Sequence, residues 1–155
     1  MSSQHKTRIV VGIESSCDET SLCLLRVPNL DQNVSDFEWV NSLEILANVI
    51  SSQVEIHKQY GGVVPEIGAR KHANQIHFLW LEMLAQLNQD PESTLSNLER
   101  ILVTTSPGLV SALRVGHEFA KTLKFFLDEK YGLNIEIQEV NHLRGHMASA
   151  LMSSS

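Results

Sequence analysis

Apolar and polar positions change rhythm part-way along the chain. Arg8-Ile9-Val10-Val11-Gly12-Ile13-Glu14 is a short β-branched run that ends at a polar turn, Ser15-Ser16-Cys17-Asp18-Glu19. Thr20-Ser21-Leu22-Cys23-Leu24-Leu25-Arg26 predicts a second strand, stopped by Pro28-Asn29, and a third extended segment falls around Leu43 to Ser52, weakened by Ala47-Asn48. Three strands on short links predict an antiparallel meander. Beyond Gly61-Gly62 and Pro65 the apolar positions become Ile76, Leu79, Trp80, Met83, Leu84 and Leu87. That spacing predicts a long helix from about Pro65 to Asn88. A polar link, Asp90-Pro91-Glu92-Ser93, leads to a strand at Ile101–Thr105, and a Ser-Pro-Gly turn opens a helix from about Leu109 to Tyr131. Its stripe is Leu109, Leu113, Ala120, Leu123 and Leu127, and Gly132 is a suitable stop. Ile135–Val140 alternates as a strand, and a last helix begins near Asn141 or His142.

The summed order is β-β-β-α-β-α-β-α. With short, right-handed connections it predicts a mixed five-stranded sheet in spatial order 3-2-1-4-5, carrying helices on its faces. This α/β order is similar to one lobe of the actin/Hsp70/sugar-kinase (ribonuclease H-like) class, in which the turn between the first two strands faces a nucleotide.

Composition narrows the picture. The chain has 155 residues, enough for one ordinary domain, and 43% of them are hydrophobic, enough for a buried core. Two Cys are too few for a disulfide framework, which with the polar opening Met1–Thr7 makes the cytoplasm the expected compartment. No apolar run approaches the roughly 20 residues of a membrane span, so no membrane partner is expected. Net charge is −6, and residues 1–75 and 76–155 each carry six basic and nine acidic groups. Any RNA must therefore be met by a local patch or by a partner. The local candidate is His57, Lys58, Arg70, Lys71, His72 and His77, which an ordinary solvated loop and helix face explains better.

Four segments concentrate reactive groups. The Glu14–Thr20 turn could hold Mg²⁺ or a phosphate through its hydroxyls and backbone N–H groups, with Asp18 as an acid/base or metal-orienting group. A plain hairpin turn in which Asp18 bonds its own backbone fits the same residues. Tyr60-Gly61-Gly62-Val63-Val64-Pro65-Glu66 puts a glycine pair before a helix start but lacks the spacing of a P-loop. The βα turn at Ser106-Pro107-Gly108-Leu109 could offer backbone N–H groups around Gly108 to a phosphate. His142 and His146 sit four apart on a helix, on one side, and can clamp one metal ion. Leu143 follows the first His where a metalloprotease needs a Glu, so that chemistry is excluded. Two ligands do not complete a site, and no third is evident in the chain. Cys17 and Cys23 read as a turn residue without a covalent role and a small packing residue, and Trp39 and Trp80 as core or edge anchors.

Five motifs occur in order: Ile13-Glu14-Ser15-Ser16-Cys17-Asp18-Glu19-Thr20, Ser52-Gln53-Val54-Glu55-Ile56-His57, Tyr60–Glu66, Pro107-Gly108-Leu109 and Asn141-His142-Leu143-Arg144-Gly145-His146. Together they resemble the bacterial TsaD branch of the tRNA threonylcarbamoyladenosine synthase family, once labelled O-sialoglycoprotein endopeptidases. The resemblance runs from Ile9 to Leu151. It implies that residues 1–155 are the N-terminal of two actin-like lobes, the second lobe lying outside this sequence. It further implies transfer of a threonylcarbamoyl group from threonylcarbamoyl-AMP to the adenosine 3′ of the anticodon in tRNAs that read ANN codons. By the same resemblance His142 and His146 bind one Fe²⁺ or Zn²⁺, with an Asp of the second lobe as the remaining protein ligand. Asp18 and Glu19 would handle protons or orient the donor, and Ser15, Ser16, Pro107 and Gly108 would line the nucleotide side. Implied partners are tRNA, a shorter actin-like paralogous subunit, the pathway's P-loop ATPase and the missing C-terminal lobe. The chain departs from the family pattern at Ser106, where a Gly is usual, and at Leu143-Arg144, where Met-Glu is usual. A non-catalytic, actin-like assembly subunit of the same pathway is the alternative, although such a subunit lacks the histidine motif that this chain retains.

Overall fold

The computed structural model describes residues 8–28 and 36–152. Met1–Thr7, Asn29 and the terminal serines lie outside the described residues. Strand β1 (Arg8–Glu14) pairs antiparallel with β2 (Glu19–Val27), which pairs antiparallel with β3 (Glu44–Ser52). On its other side β1 pairs parallel with β4 (Leu98–Ser106), and β4 with β5 (Glu136–Asn141). Among the described residues the sheet order is therefore β3-β2-β1-β4-β5, the mixed order that the strand and helix pattern predicts.

The helices follow from the same alternation. Ile9, Val11 and Ile13 of β1, Leu22 and Leu24 of β2, and Ile101 and Val103 of β4 are buried on one face. On that face lie α3 (Pro65–Ala85) and α5 (Val110–Tyr131), meeting it with Ile76, Leu79 and Met83, and with Ala120, Leu123 and Leu127. Trp80 and Phe119 meet edge to face between the two helices, ring centres 6.2 Å apart. Removing a buried Leu from this layer costs about 2–5 kcal/mol. Pro65 occupies the first turn of α3, where its missing N–H costs nothing. Gly132 ends α5 in the left-handed conformation, with φ of 66°.

Three short helices had no counterpart in the predicted order: α1 (Asp36–Asn41), α2 (Val54–Lys58) and α4 (Pro91–Leu95). The α4 segment reads as a polar link, yet Asp90 caps it by accepting from the Ser93 N–H at 2.9 Å, and Pro91 begins it. The last helix, α6 (His142–Met152), starts directly after β5. No described helix is long and apolar enough to cross a membrane. Of the suggested basic patch, His57 and His72 are buried, at 4% and 0% exposure, while Lys58, Arg70 and His77 are exposed.

Candidate functional site

The turn between β1 and β2 is anchored by elements distant in sequence. Its carbonyl at Ser16 accepts from the Leu109 N–H (2.7 Å), that of Cys17 from the His72 ring (3.1 Å), and that of Asp18 from the Gln53 N–H (2.7 Å). A plain hairpin turn would bond only to itself; this one keeps one such bond, from the Ser16 N–H to Glu14, and is otherwise held at three carbonyls from outside. Ser15 Oγ donates to the Ala112 carbonyl at 2.9 Å, beneath α5. Gly108 lies so close to Ser16 that an added Cβ would sit 2.7 Å from its carbonyl oxygen. The βα turn at Ser106–Leu109 therefore braces the β1–β2 turn, and the Leu109 N–H is spent on that bond.

His72 is the second brace. Its Nδ1 faces Thr20 Oγ1 at 2.7 Å and Gln53 Nε2 at 3.1 Å, while Nε2 faces the Cys17 carbonyl. A carbonyl can only accept, so Nε2 carries the proton and Nδ1 accepts from Thr20 and Gln53. Burial pushes the His72 pKa down, opposed by the bond to Cys17, so the ring stays neutral.

Beside this turn lies a cavity of about 570 Å³, lined by Glu14, Ser16, Cys17, Asp18, Glu19, Thr104, His142 and His146, among others. Asp18, Glu19, Ser16 and both histidines thus meet at one place. Ser15, Pro107 and Gly108 are not among the lining residues; Ser15 and Gly108 support the turn from behind. His142 and His146 present their Nε2 atoms 2.9 Å apart, with ring centres 4.3 Å apart. His142 Nδ1 lies 3.1 Å from Glu14 Oε2 and 3.0 Å from Ser16 Oγ. Glu14 also accepts from the Ser16 N–H at 2.5 Å and from Thr104 Oγ1 at 2.7 Å. Burial alone would raise its pKa; the bonds from Ser16, Thr104 and His142 outweigh burial and lower it. Burial and the neighbouring Asp18 raise the Cys17 pKa, which keeps the thiol protonated and unsuited to nucleophilic work.

Among the described residues, Glu14, Asp18 and Glu19 line the cavity and no Lys or Arg does. Such a lining suits a cation, and an anionic substrate needs a cation there first. Two imidazoles whose Nε2 atoms lie 2.9 Å apart are a donor pair for Zn²⁺ or Fe²⁺. They fit such an ion incompletely, since no group of three or more His, Cys, Asp or Glu able to hold a metal occurs among the described residues.

Of the residues expected at the site, His142, His146, Asp18, Glu19 and Ser16 come together. Glu14, His72, Gln53 and Thr104 join them in the structure, though none stands out singly in the sequence. Two signals were present. Ile9, Val11 and Ile13 face the α3–α5 layer, so period-two alternation sends Glu14 to the opposite face, that of His142. His72, Ile76, Leu79 and Met83 form one helical stripe, which places the histidine indoors.

The model of the family described as "TsaD: tRNA N6-adenosine threonylcarbamoyltransferase" matches residues 44–155. The chain belongs to the TsaD family. Proteins named tRNA N6-adenosine threonylcarbamoyltransferase from Fusobacterium nucleatum and Clostridioides difficile are 44% and 40% identical to it, over 90% and 91% of the chain. The chain spans about a third of the length of these curated relatives, 34% and 35% respectively. Among solved structures, YeaZ from Pseudomonas aeruginosa is similar over 86% of this chain and 44% of its own, at 15% identity and a TM-score of 0.44.

Proposed function

We propose that this TsaD-family chain is the N-terminal lobe of a metal-dependent threonylcarbamoyl transferase that modifies the adenosine 3′ of the anticodon in tRNAs reading ANN codons. The observation that carries the reading is the meeting of His142 and His146 Nε2, 2.9 Å apart, in the cavity lined by the Asp18–Glu19 turn. Within the family context, that pair is what a non-catalytic actin-like subunit lacks. His142 and His146 would hold one Fe²⁺ or Zn²⁺, with further ligands from outside the described residues. When bound, the ion supplies Lewis-acid polarisation of the threonylcarbamoyl-AMP donor and offsets the acidic lining.

The chain's own residues have separable parts in this scheme. Leu109, His72 and Gln53 hold the turn at its carbonyls, so Asp18 and Glu19 line the cavity from a fixed backbone. Asp18 and Glu19 are the carboxylates available to accept a proton from the attacking adenosine amine. A cytoplasmic setting, tRNA, a shorter actin-like paralogue and a P-loop ATPase belong to the same proposal.

The test has two arms. Calorimetric zinc titration should give weak binding by the parent chain, none by His142→Ala or His146→Ala, and near-parent binding by His77→Ala, an exposed histidine outside the cavity. Mixing the chain with the remainder of the Fusobacterium nucleatum relative should restore transfer of radiolabelled threonylcarbamoyl from the adenylate to tRNA, and His142→Ala should abolish it. A His142→Ala chain that binds zinc as the parent does, or transfers as well, defeats the proposal.

A further inference from the structure

Three donors converge on the Glu14 carboxylate: the Ser16 N–H on Oε1, and Thr104 Oγ1 and the His142 ring on Oε2. An ionised carboxylate can only accept, so the nitrogen of His142 that faces it must carry the proton. That nitrogen is Nδ1. The Nε2 lone pair is then directed away from Glu14, toward His146 Nε2. Ser16 Oγ, 3.0 Å from the same Nδ1, adds a second acceptor because its hydroxyl can turn.

We infer that Glu14 is a positioning residue for His142: it holds the Nδ1–H tautomer and so aims the Nε2 lone pair at the point His142 and His146 share. A carboxylate behind a histidine is a recurrent way of fixing the ring and raising its basicity as a ligand. The inference rests on the metal reading proposed above only for its consequence, not for the tautomer. Glu14 is tied into the sheet at both ends of this arrangement. Its backbone ends β1, and Thr104 on the adjacent strand β4 fixes its carboxylate, so the His142 orientation is set by the core rather than by α6 alone.

Glu14→Gln gives the sharpest test, because it keeps the shape and replaces one oxygen by an NH₂ group. The Ser16 N–H requires an acceptor, so the amide oxygen stays at the Oε1 position and the NH₂ turns to His142. Nδ1 must then accept, and the proton moves to Nε2, where it competes with a metal. Two-bond ¹H–¹⁵N correlation spectra of the metal-free chain, with the His142 signals assigned by their loss in His142→Gln, should report Nδ1–H in the parent and Nε2–H in Glu14→Gln. Zinc affinity of Glu14→Gln should fall about 10–100-fold by calorimetry. A parent His142 in the Nε2–H form overturns the inference whether or not the variant folds, and so does parent-like zinc affinity in a folded Glu14→Gln chain. If the parent binds no zinc, the metal reading fails and the tautomer measurement alone decides the role of Glu14.

Discussion

The brace between Gly108 and the β1–β2 turn can be broken by one methyl group. In Gly108→Ala the new Cβ would lie 2.7 Å from the Ser16 carbonyl oxygen, 2.8 Å from its Cβ and 3.1 Å from its Cα. Ordinary contact begins at 3.4 Å, so the closest approach is about 0.7 Å too short. None of the three atoms can swing aside by a side-chain rotation, because all belong to the backbone or its first carbon. The turn or the start of α5 must retreat, which stretches the 2.7 Å bond from the Leu109 N–H to the Ser16 carbonyl. Overpacking of this kind costs about 1–3 kcal/mol. Weakening a sheltered backbone hydrogen bond adds about 0.5–1.5 kcal/mol. The expected total is about 1.5–4.5 kcal/mol, which at a slope of about 2 kcal/mol per molar lowers the urea midpoint by about 0.8–2.2 M. Gly62→Ala is the control, since an added Cβ meets nothing within 4 Å there, and its change should stay within about 0.5 kcal/mol. A Gly108→Ala chain unfolding within 0.5 kcal/mol of the parent at unchanged slope would show that Gly108 does not hold the turn.

Two further outcomes are expected. Burial holds the His72 pKa below its ordinary 6.5, against the opposing bond to Cys17 and the nearby Glu14 and Asp18 charges, with His57 acting in the same direction as burial. The unfolded chain therefore binds the proton first, so the His72 contribution is complete above about pH 6.5 and is lost as pH falls toward the folded-state pKa. Urea unfolding between pH 7 and 5 should show a shallower pH slope in His72→Gln than in the parent; equal slopes would contradict the assignment. The 155-residue chain incubated alone with tRNA and threonylcarbamoyl-AMP should transfer no label, because its described residues offer no third ligand beside the histidine pair; sustained turnover by the chain alone would refute this.

The sheet was legible because its signal is local. The β-branched run at Ile9–Ile13, the alternation in Leu22 and Leu24, and the stripe Ile76-Leu79-Met83 each declare one buried face, and short right-handed connections leave one strand order. The α3 stripe overran its helix by three residues, since Leu87 continues the pattern after the helix has ended at Ala85. The short helices α1, α2 and α4 escaped because five or six residues are too few for a periodic signal; among the described residues the Asp90 side chain caps one of them. In the site, a motif with its own spacing was readable: His142 and His146 define themselves. Residues whose role is a bond to a distant backbone were not.

That distinction explains how the cavity is built. Asp18 and Glu19 are informative as residue types, but their placement depends on three carbonyls held from α3, from the start of α2 and from the βα turn before α5. Each brace is separated from the turn by between 35 and 93 positions in sequence, from Gln53 to Asp18 and from Leu109 to Ser16. No periodicity or local motif encodes such a pairing. What the sequence does carry is its consequence: a buried histidine on an otherwise apolar stripe, a glycine where the backbone of the turn passes, and an acidic residue at the end of a core strand. Each costs stability unless it meets its partner, through an unpaired polar group in one case and a lost side chain or a buried charge in the others. The three meet their partners around a single turn, which is why the least core-like residues of the interior mark the position of the candidate site.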